Sequence, residues 1–228
     1  MQTIRKPLAF ITTAFLIFIL IFYSSCQKET SVDSEQTIAA AGSSIIYTNV
    51  NPDSTIISEI HFGVSGDSSK DYYLDLNNDK KADFVFRIYY QSFSRCLQGG
   101  FNSFVSVSPA NGSSNQIANV NLYAAALDSL TSINASLSKW SGVTAQKLGE
   151  YDRQCDICDV RSGCYGSPAG NWTTGSIKYL GLKIISSNNV YYGWARLMIA
   201  IGPWSKLTIM DYAYNSNPNQ PILAGQTK

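Results

Sequence analysis

The run Phe84-Val-Phe-Arg-Ile-Tyr-Tyr90 constrains the fold more than any other stretch of this chain. Phe84, Phe86, Ile88 and Tyr90 share one face of an extended backbone, and Val85, Arg87 and Tyr89 share the other. Aromatic and β-branched residues at this density favour a pleated, half-buried strand over a helix. Segments of the same kind recur between polar turns. Thr55–Val64 reads as a strand ended by the Ser65–Ser69 cluster, and Phe101–Ser108 as one stopped by Pro109-Ala-Asn-Gly. Ser176–Ile185 and Val190–Ile199 form a hairpin around Ser186-Ser-Asn-Asn189, and Lys206–Tyr214 is the closing strand. Asn121–Trp140 is ambiguous. Leu122, Ala126, Leu130, Ile133 and Leu137 fit a helical stripe, yet the Ser, Thr and Asn around them compete for helix backbone bonds, so a short helix or turn is the most it supports. Gln154–Gly170 reads as a Cys- and Gly-rich loop. The expected class is all-β, an antiparallel β-sandwich or jelly roll with at most one short helix.

Directly before the first run stands Asp75-Leu-Asn77-Asn-Asp79-Lys-Lys81-Ala-Asp83. Calcium takes six to eight hard oxygen ligands, which a short loop supplies from alternate positions. Here those positions are Asp75, Asn77, Asp79, the backbone carbonyl of Lys81, and Asp83. Lys80 stands where an EF-hand has its glycine, Phe86 stands where it has its bidentate Glu, and strand-like segments flank the loop, so it is no EF-hand. The stretch resembles the strand-loop-strand Asp-rich loops of FG-GAP-type exported β-proteins, which implies a calcium cofactor held by these five residues. Lys80 and Lys81 set two positive charges beside three carboxylates. The competing reading is an Asn/Asp-rich hairpin turn that holds no metal.

The N-terminus carries an address. Arg5 and Lys6 precede an almost wholly apolar run from Leu8 to Tyr23, followed by Ser24-Ser25-Cys26. Small residues before a cysteine resemble the lipobox of bacterial lipoproteins. That resemblance implies cleavage before Cys26, acylation of Cys26, and anchoring of the mature chain in a membrane, since two or more acyl chains hold firmly where one does not. Phe22 and Tyr23 depart from the family's aliphatic residues. Gln27-Lys28-Glu29 is similar to the short Lys/acidic runs that route some Gram-negative lipoproteins to the cell surface. The expected location is therefore the outer membrane on its surface side, with the periplasmic face as the alternative. Residues 1–25 are read as signal peptide, 26–44 as a flexible tether, and 45–228 as one β-sandwich domain. Cleavage leaves 15 basic against 16 acidic residues, which offers nucleic acid no electrostatic footprint.

The last third resembles exported proteins of the PEP-CTERM kind. The residues that carry the likeness are Tyr192-Gly-Trp-Ala-Arg196 and Asp211-Tyr-Ala-Tyr-Asn215. The likeness implies a shared extracellular fold more than an activity.

Cys96, Cys155, Cys158 and Cys164 remain after Cys26, and an even number in an exported chain points to disulfides. Three connectivities exist; the expectation is one bridge from Cys96 to the 155–164 stretch and one within it. Cys155-x-x-Cys158 also has zinc-ligand spacing, though no second such pair accompanies it. His61 is the sole histidine and lies in a strand-like apolar setting. Asp152, Asp156 and Asp159 are the weak candidates for a paired-carboxylate hydrolase. Four Trp and 14 Tyr supply stacking faces, and Trp172 and Trp204, in loop-like sequence, are the candidate ligand-binding aromatics. The favoured function is a non-catalytic binding or structural module for a glycan or protein partner; a surface polysaccharide hydrolase is the alternative.

Overall fold

The computed structural model describes residues 36–39, 44–59, 66–95, 98–137, 139–142, 144–156, 164–172 and 175–228. They fold as strands joined by turns, and no helix occurs among them. In chain order the strands are β1 (Gln36–Ala39), β2 (Ile45–Ile57), β3 (Gly66–Leu74), β4 (Phe84–Arg95) and β5 (Gln98–Pro109). Then come β6 (Gln116–Val120), β7 (Tyr123–Ala124), β8 (Ser132–Ile133), β9 (Lys139–Ser141), β10 (Gln146–Asp156) and β11 (Cys164–Gly170). The last are β12 (Ser176–Ser186), β13 (Asn189–Ala200), β14 (Lys206–Asn215) and β15 (Ile222–Leu223). All are paired antiparallel. One sheet runs β1-β2-β14-β13-β12-β6-β7 with β9 also on β6, a second runs β11-β10-β5-β4-β3, and β15 pairs β8. All-β architecture is thus as expected.

The alternation at Phe84 is realised as read. Phe84, Phe86 and Ile88 are fully buried and Tyr90 nearly so, while Arg87 is exposed. Phe84, Phe86 and Ile88 cluster with Val105 and Val107 of β5 and Leu148 of β10, and across the sandwich with Leu180 and Leu182 of β12, Leu197 and Ile199 of β13, and Leu207 of β14. Each such side chain contributes about 1.5–3 kcal/mol by leaving water. A second, smaller cluster covers the opposite face of the larger sheet. There Trp194, Tyr192 and Ala213 pack under Ala125, Leu127, Ile133, Ile222 and Ala224. The Trp194 ring Nε1–H donates to the Gln226 carbonyl at 3.2 Å, which ties the C-terminal segment over this cluster.

The two motifs of the last third turn out to be partners. Trp194 lies opposite Ala213, and Arg196 opposite Asp211. Arg196 donates from Nε and Nη2 to the two Asp211 oxygens at 2.9 and 2.5 Å, and the Tyr47 hydroxyl donates to the same carboxylate at 3.0 Å. Burial, together with the neighbouring carboxylate, pushes the Tyr47 hydroxyl up to about 12.

Several local expectations need correction. Gln36–Ala39, inside the stretch read as a tether, pairs with Ile46–Asn49 and adds an edge strand. Gly66–Ser69, read as a turn, opens β3, because each residue finds a ladder partner in Tyr89–Ser92. The Cys- and Gly-rich stretch is strand over its described residues: Gly149–Cys155 and Cys164–Gly170 pair in a regular antiparallel ladder. Among its described residues the ambiguous stretch 121–140 holds β7, β8, the start of β9 and turns, and Ala125, Leu127, Ile133 and Leu137 cover the outside of the larger sheet.

Candidate functional site

The Asp-rich loop joins β3 to β4. Leu74 pairs with Phe84 at its base, and Asp83 N–H donates to the Leu74 carbonyl at 2.8 Å. Leu76 is buried and packs on Gly193, where an added Cβ would lie 2.9 Å from a Leu76 methyl. That contact pins the loop to β13. The acidic side chains then wind the backbone. Asp75 accepts from the amides of Asp79 at 3.1 Å and Lys80 at 2.6 Å. Asn77 accepts from Asp79 at 3.0 Å, and Asp79 from Lys81 at 2.9 Å. These side chain-to-backbone bonds hold Asn78 and Lys80 at φ of 59° and 70°. Such a conformation suits asparagine and costs a lysine about 1–2 kcal/mol.

Asp83 closes the loop from below. It is 8% exposed, and its Oδ2 accepts from the amides of Leu76 at 2.9 Å and Asn77 at 3.3 Å. Burial pushes its carboxyl up to about 6; the two amides oppose that rise, while Asp79 and Asp75 add to it. The donor set is all hard oxygen, and the three carboxylates repel one another, so a divalent cation is chemically matched to the loop. Among the described residues, however, no three Asp, Glu, His or Cys side chains are gathered as around a metal ion. A cation here would recruit Asn77 and a backbone carbonyl, that of Lys81, to complete its shell. Beside the loop lies a cavity of about 330 Å³, lined by Asn77, Asp79, Ser186, Tyr191 and Tyr214.

A second site lies on the solvent face of the five-stranded sheet. Register places Gln91, Asn102, Asp152 and Ser167 side by side on β4, β5, β10 and β11. None of these four side chains hydrogen-bonds within the described structure. Aromatic rings flank this polar row on both sides. On one side Tyr89 stacks on Phe104 with ring centroids 4.9 Å apart, and Lys147 sits 5.0 Å above the Phe104 ring. On the other are Phe93 and Tyr165, the latter 65% exposed, its hydroxyl donating to Gln154 at 3.0 Å. Gly100 makes room for Phe93: a Cβ there would come within 2.7 Å of the ring and 2.2 Å of the Arg153 carbonyl. Within this surface Asn102, Glu150, Asp152, Gln154, Tyr165 and Ser167, on β5, β10 and β11, line an open groove of about 540 Å³, a volume in the range of small-ligand sites. Glu150 lies at its edge. Burial pushes its carboxyl up, but bonds from Lys147 and the Tyr123 hydroxyl outweigh that and hold it below the usual range.

The other expected site residues scatter. Trp204 is 61% exposed in the β13–β14 connection, as a stacking residue requires. Trp172 is not: it is 3% exposed, in the main core. The reason is its neighbour. Asn171 donates to the carbonyls of Val120, Tyr123 and Ala124, which draws the segment down onto the β6–β7 turn. The Trp172 Nε1–H is left without a hydrogen-bond partner. Cys155 is disulfide-bonded and lies opposite Cys164 in the β10–β11 ladder. Cys26, His61, Cys96, Cys158 and Asp159 lie outside the described residues, as does the side chain of Asp156. Asp152 sits in the groove, beside residues that sequence reading passed over: Asn102, Phe104, Glu150 and Tyr165. They come from three strands and share no local motif. The phase of Glu150-Tyr-Asp152-Arg-Gln154 is the one signal that three polar side chains share a face.

Comparison with protein-family models, curated proteins and solved structures gives no match to this chain.

Proposed function

We propose that this chain is an exported lipoprotein, anchored in the outer membrane through Cys26 and displayed at the cell surface, that binds carbohydrate without turning it over. The observation that carries the binding reading is the groove on the five-stranded sheet. It sets unpartnered amide, hydroxyl and carboxylate groups beside the exposed ring of Tyr165. Sugars offer the complement: hydroxyls for the polar row and C–H faces for the rings. Glu150 supports binding over hydrolysis. A glycosidase acid must hold a proton near neutrality, whereas Lys147 and Tyr123 keep this carboxylate ionised. The Asp-rich loop is a calcium clip in this reading, fastening β3 to β4 at the end of the sandwich. The four cysteines after Cys26 are a disulfide framework that braces the hairpins carrying Phe93 and Tyr165.

The test is a binding and turnover screen of the purified full chain in detergent against soluble polysaccharides. Retention with no reducing ends released supports the reading. Release of oligosaccharides favours the hydrolase, and absence of any retention refutes carbohydrate binding.

A further inference from the structure

The groove carries a charge that narrows its ligand. Asp67, Asp71, Glu150 and Asp152 share the solvent face of the five-stranded sheet with the cations Arg87 and Lys147. Each cation is already matched. Arg87 grips Asp71 through two bonds of 2.7 Å, and Lys147 pairs with Glu150. Among the described residues, Asp67 accepts only a 3.5 Å contact from the Tyr89 hydroxyl, and Asp152 has no side-chain partner. Both stand in the polar row, since Asp67 lies opposite Gln91. Among the described side chains of this face, the row therefore holds two carboxylates that no cation offsets.

The row is perpendicular to the strands. From Gln91 to Ser167 it crosses four strands spaced about 4.8 Å apart, hence about 14 Å. The open groove follows the β5, β10 and β11 part of this row, with Asn102, Asp152 and Ser167 along it and the Tyr165 ring at its side. An extended chain fits this shape better than a compact ligand does. Neutral sugars bring hydroxyl donors, which the Asp152 carboxylate and the Asn102 amide oxygen accept. A uronate or sulfate group would bring a second negative charge against the exposed Asp152 carboxylate, a repulsion that is strongest at low salt.

Resting on the carbohydrate-binding reading above, we infer that the groove accepts an uncharged polysaccharide chain lying across β5, β10 and β11, and that Asp152 rejects acidic polysaccharides. Asp152 is thus the specificity-determining residue, and Tyr165 the ring on which a sugar stacks.

Affinity electrophoresis of the full chain in detergent tests this, in gels carrying neutral probes (galactomannan, mixed-linkage β-glucan) or acidic ones (alginate, polygalacturonate). Native protein is retarded by at least one neutral probe and by neither acidic probe at low salt. Tyr165→Ala weakens retardation about tenfold, the loss of one stacked ring. Asp152→Lys gains retardation by alginate or polygalacturonate that fades as salt is raised. Both are exposed positions, and melting temperatures matching the native protein confirm that the variants fold; if Tyr165→Ala does not, Asn102→Ala takes its place with the same expected loss. Native retardation by acidic probes, or no gain in Asp152→Lys, overturns the inference while carbohydrate binding stands. Retardation that survives Tyr165→Ala or Asn102→Ala overturns the groove as its site. No retardation by any probe overturns the carbohydrate reading itself.

Discussion

Replacing Arg196 by Met should expose how much the pairing of the two C-terminal motifs holds the larger sheet together. Asp211 is 4% exposed, and Arg196 supplies two of its three side-chain hydrogen bonds among the described residues, at 2.9 and 2.5 Å. The third comes from Tyr47 at 3.0 Å. Breaking a buried ion pair by removing one partner costs about 3–5 kcal/mol, because a desolvated charge is left behind. The Arg196 side chain is 33% exposed, so part of its attraction is screened and the lower end, about 3 kcal/mol, is expected. For a domain of this size that is a fall of roughly 6–12 °C in melting temperature.

The loss should depend on pH with a definite sign. Burial already holds the Asp211 carboxyl above its ordinary value of 3.8, against the pull of Arg196 and Tyr47. Without Arg196 it rises further. A raised carboxyl binds its proton more tightly folded than unfolded, so stability increases as pH falls through the folded value toward the unfolded one. Lowering pH from 7.5 to 5 should therefore recover part of the loss in Arg196→Met, at up to about 1.4 kcal/mol per unit. Adding Asp211→Asn to Arg196→Met removes the stranded charge and should recover about 1–3 kcal/mol at pH 7.5. Urea melts of the two single variants and the double variant at both pH values measure all of this. A cost for Arg196→Met under about 1 kcal/mol, equal at both pH values, would refute the account of Asp211 as a buried charge dependent on its partner.

Calcium at about 1 mM, with an affinity in the weak extracellular range of about 10⁻⁴ M, should stabilise the native chain by about 1.4 kcal/mol, or about 3–6 °C. Asp79→Ala should abolish that gain, and identical melting in calcium and in chelator would leave the loop a plain turn. Lys80→Gly should stabilise by up to about 1 kcal/mol by relieving the positive φ, read from the same melts. Gly193→Ala should cost about 1–3 kcal/mol, because its methyl would meet the Ala213 carbonyl at 2.7 Å and Leu76 at 2.9 Å. Cys26→Ser should lose fatty-acid labelling in cells given palmitate, and labelling that persists would end the lipoprotein reading.

Alternation by itself determined the class of fold and the inward face of β4. A two-residue period leaves no freedom about which side chains meet the core once one face must be buried. The Asp-rich loop was also legible, because its hydrogen bonds are local: Asp75, Asn77 and Asp79 reach amides only two to five residues on. Lys80 was recognisable as a residue at a glycine-like position for the same reason. The sequence could not say that the Tyr-Gly-Trp-Ala-Arg and Asp-Tyr-Ala-Tyr motifs pair with each other, since register depends on the whole ladder. Nor could it place Trp172, which looked exposed beside Gly and Asn but was drawn into the core by contacts of Asn171 some 50 residues away in the chain. The groove was decided by tertiary structure alone. Gln91, Asn102, Asp152 and Ser167 become neighbours only when four strands line up about 4.8 Å apart, and their spacing in sequence holds no trace of that.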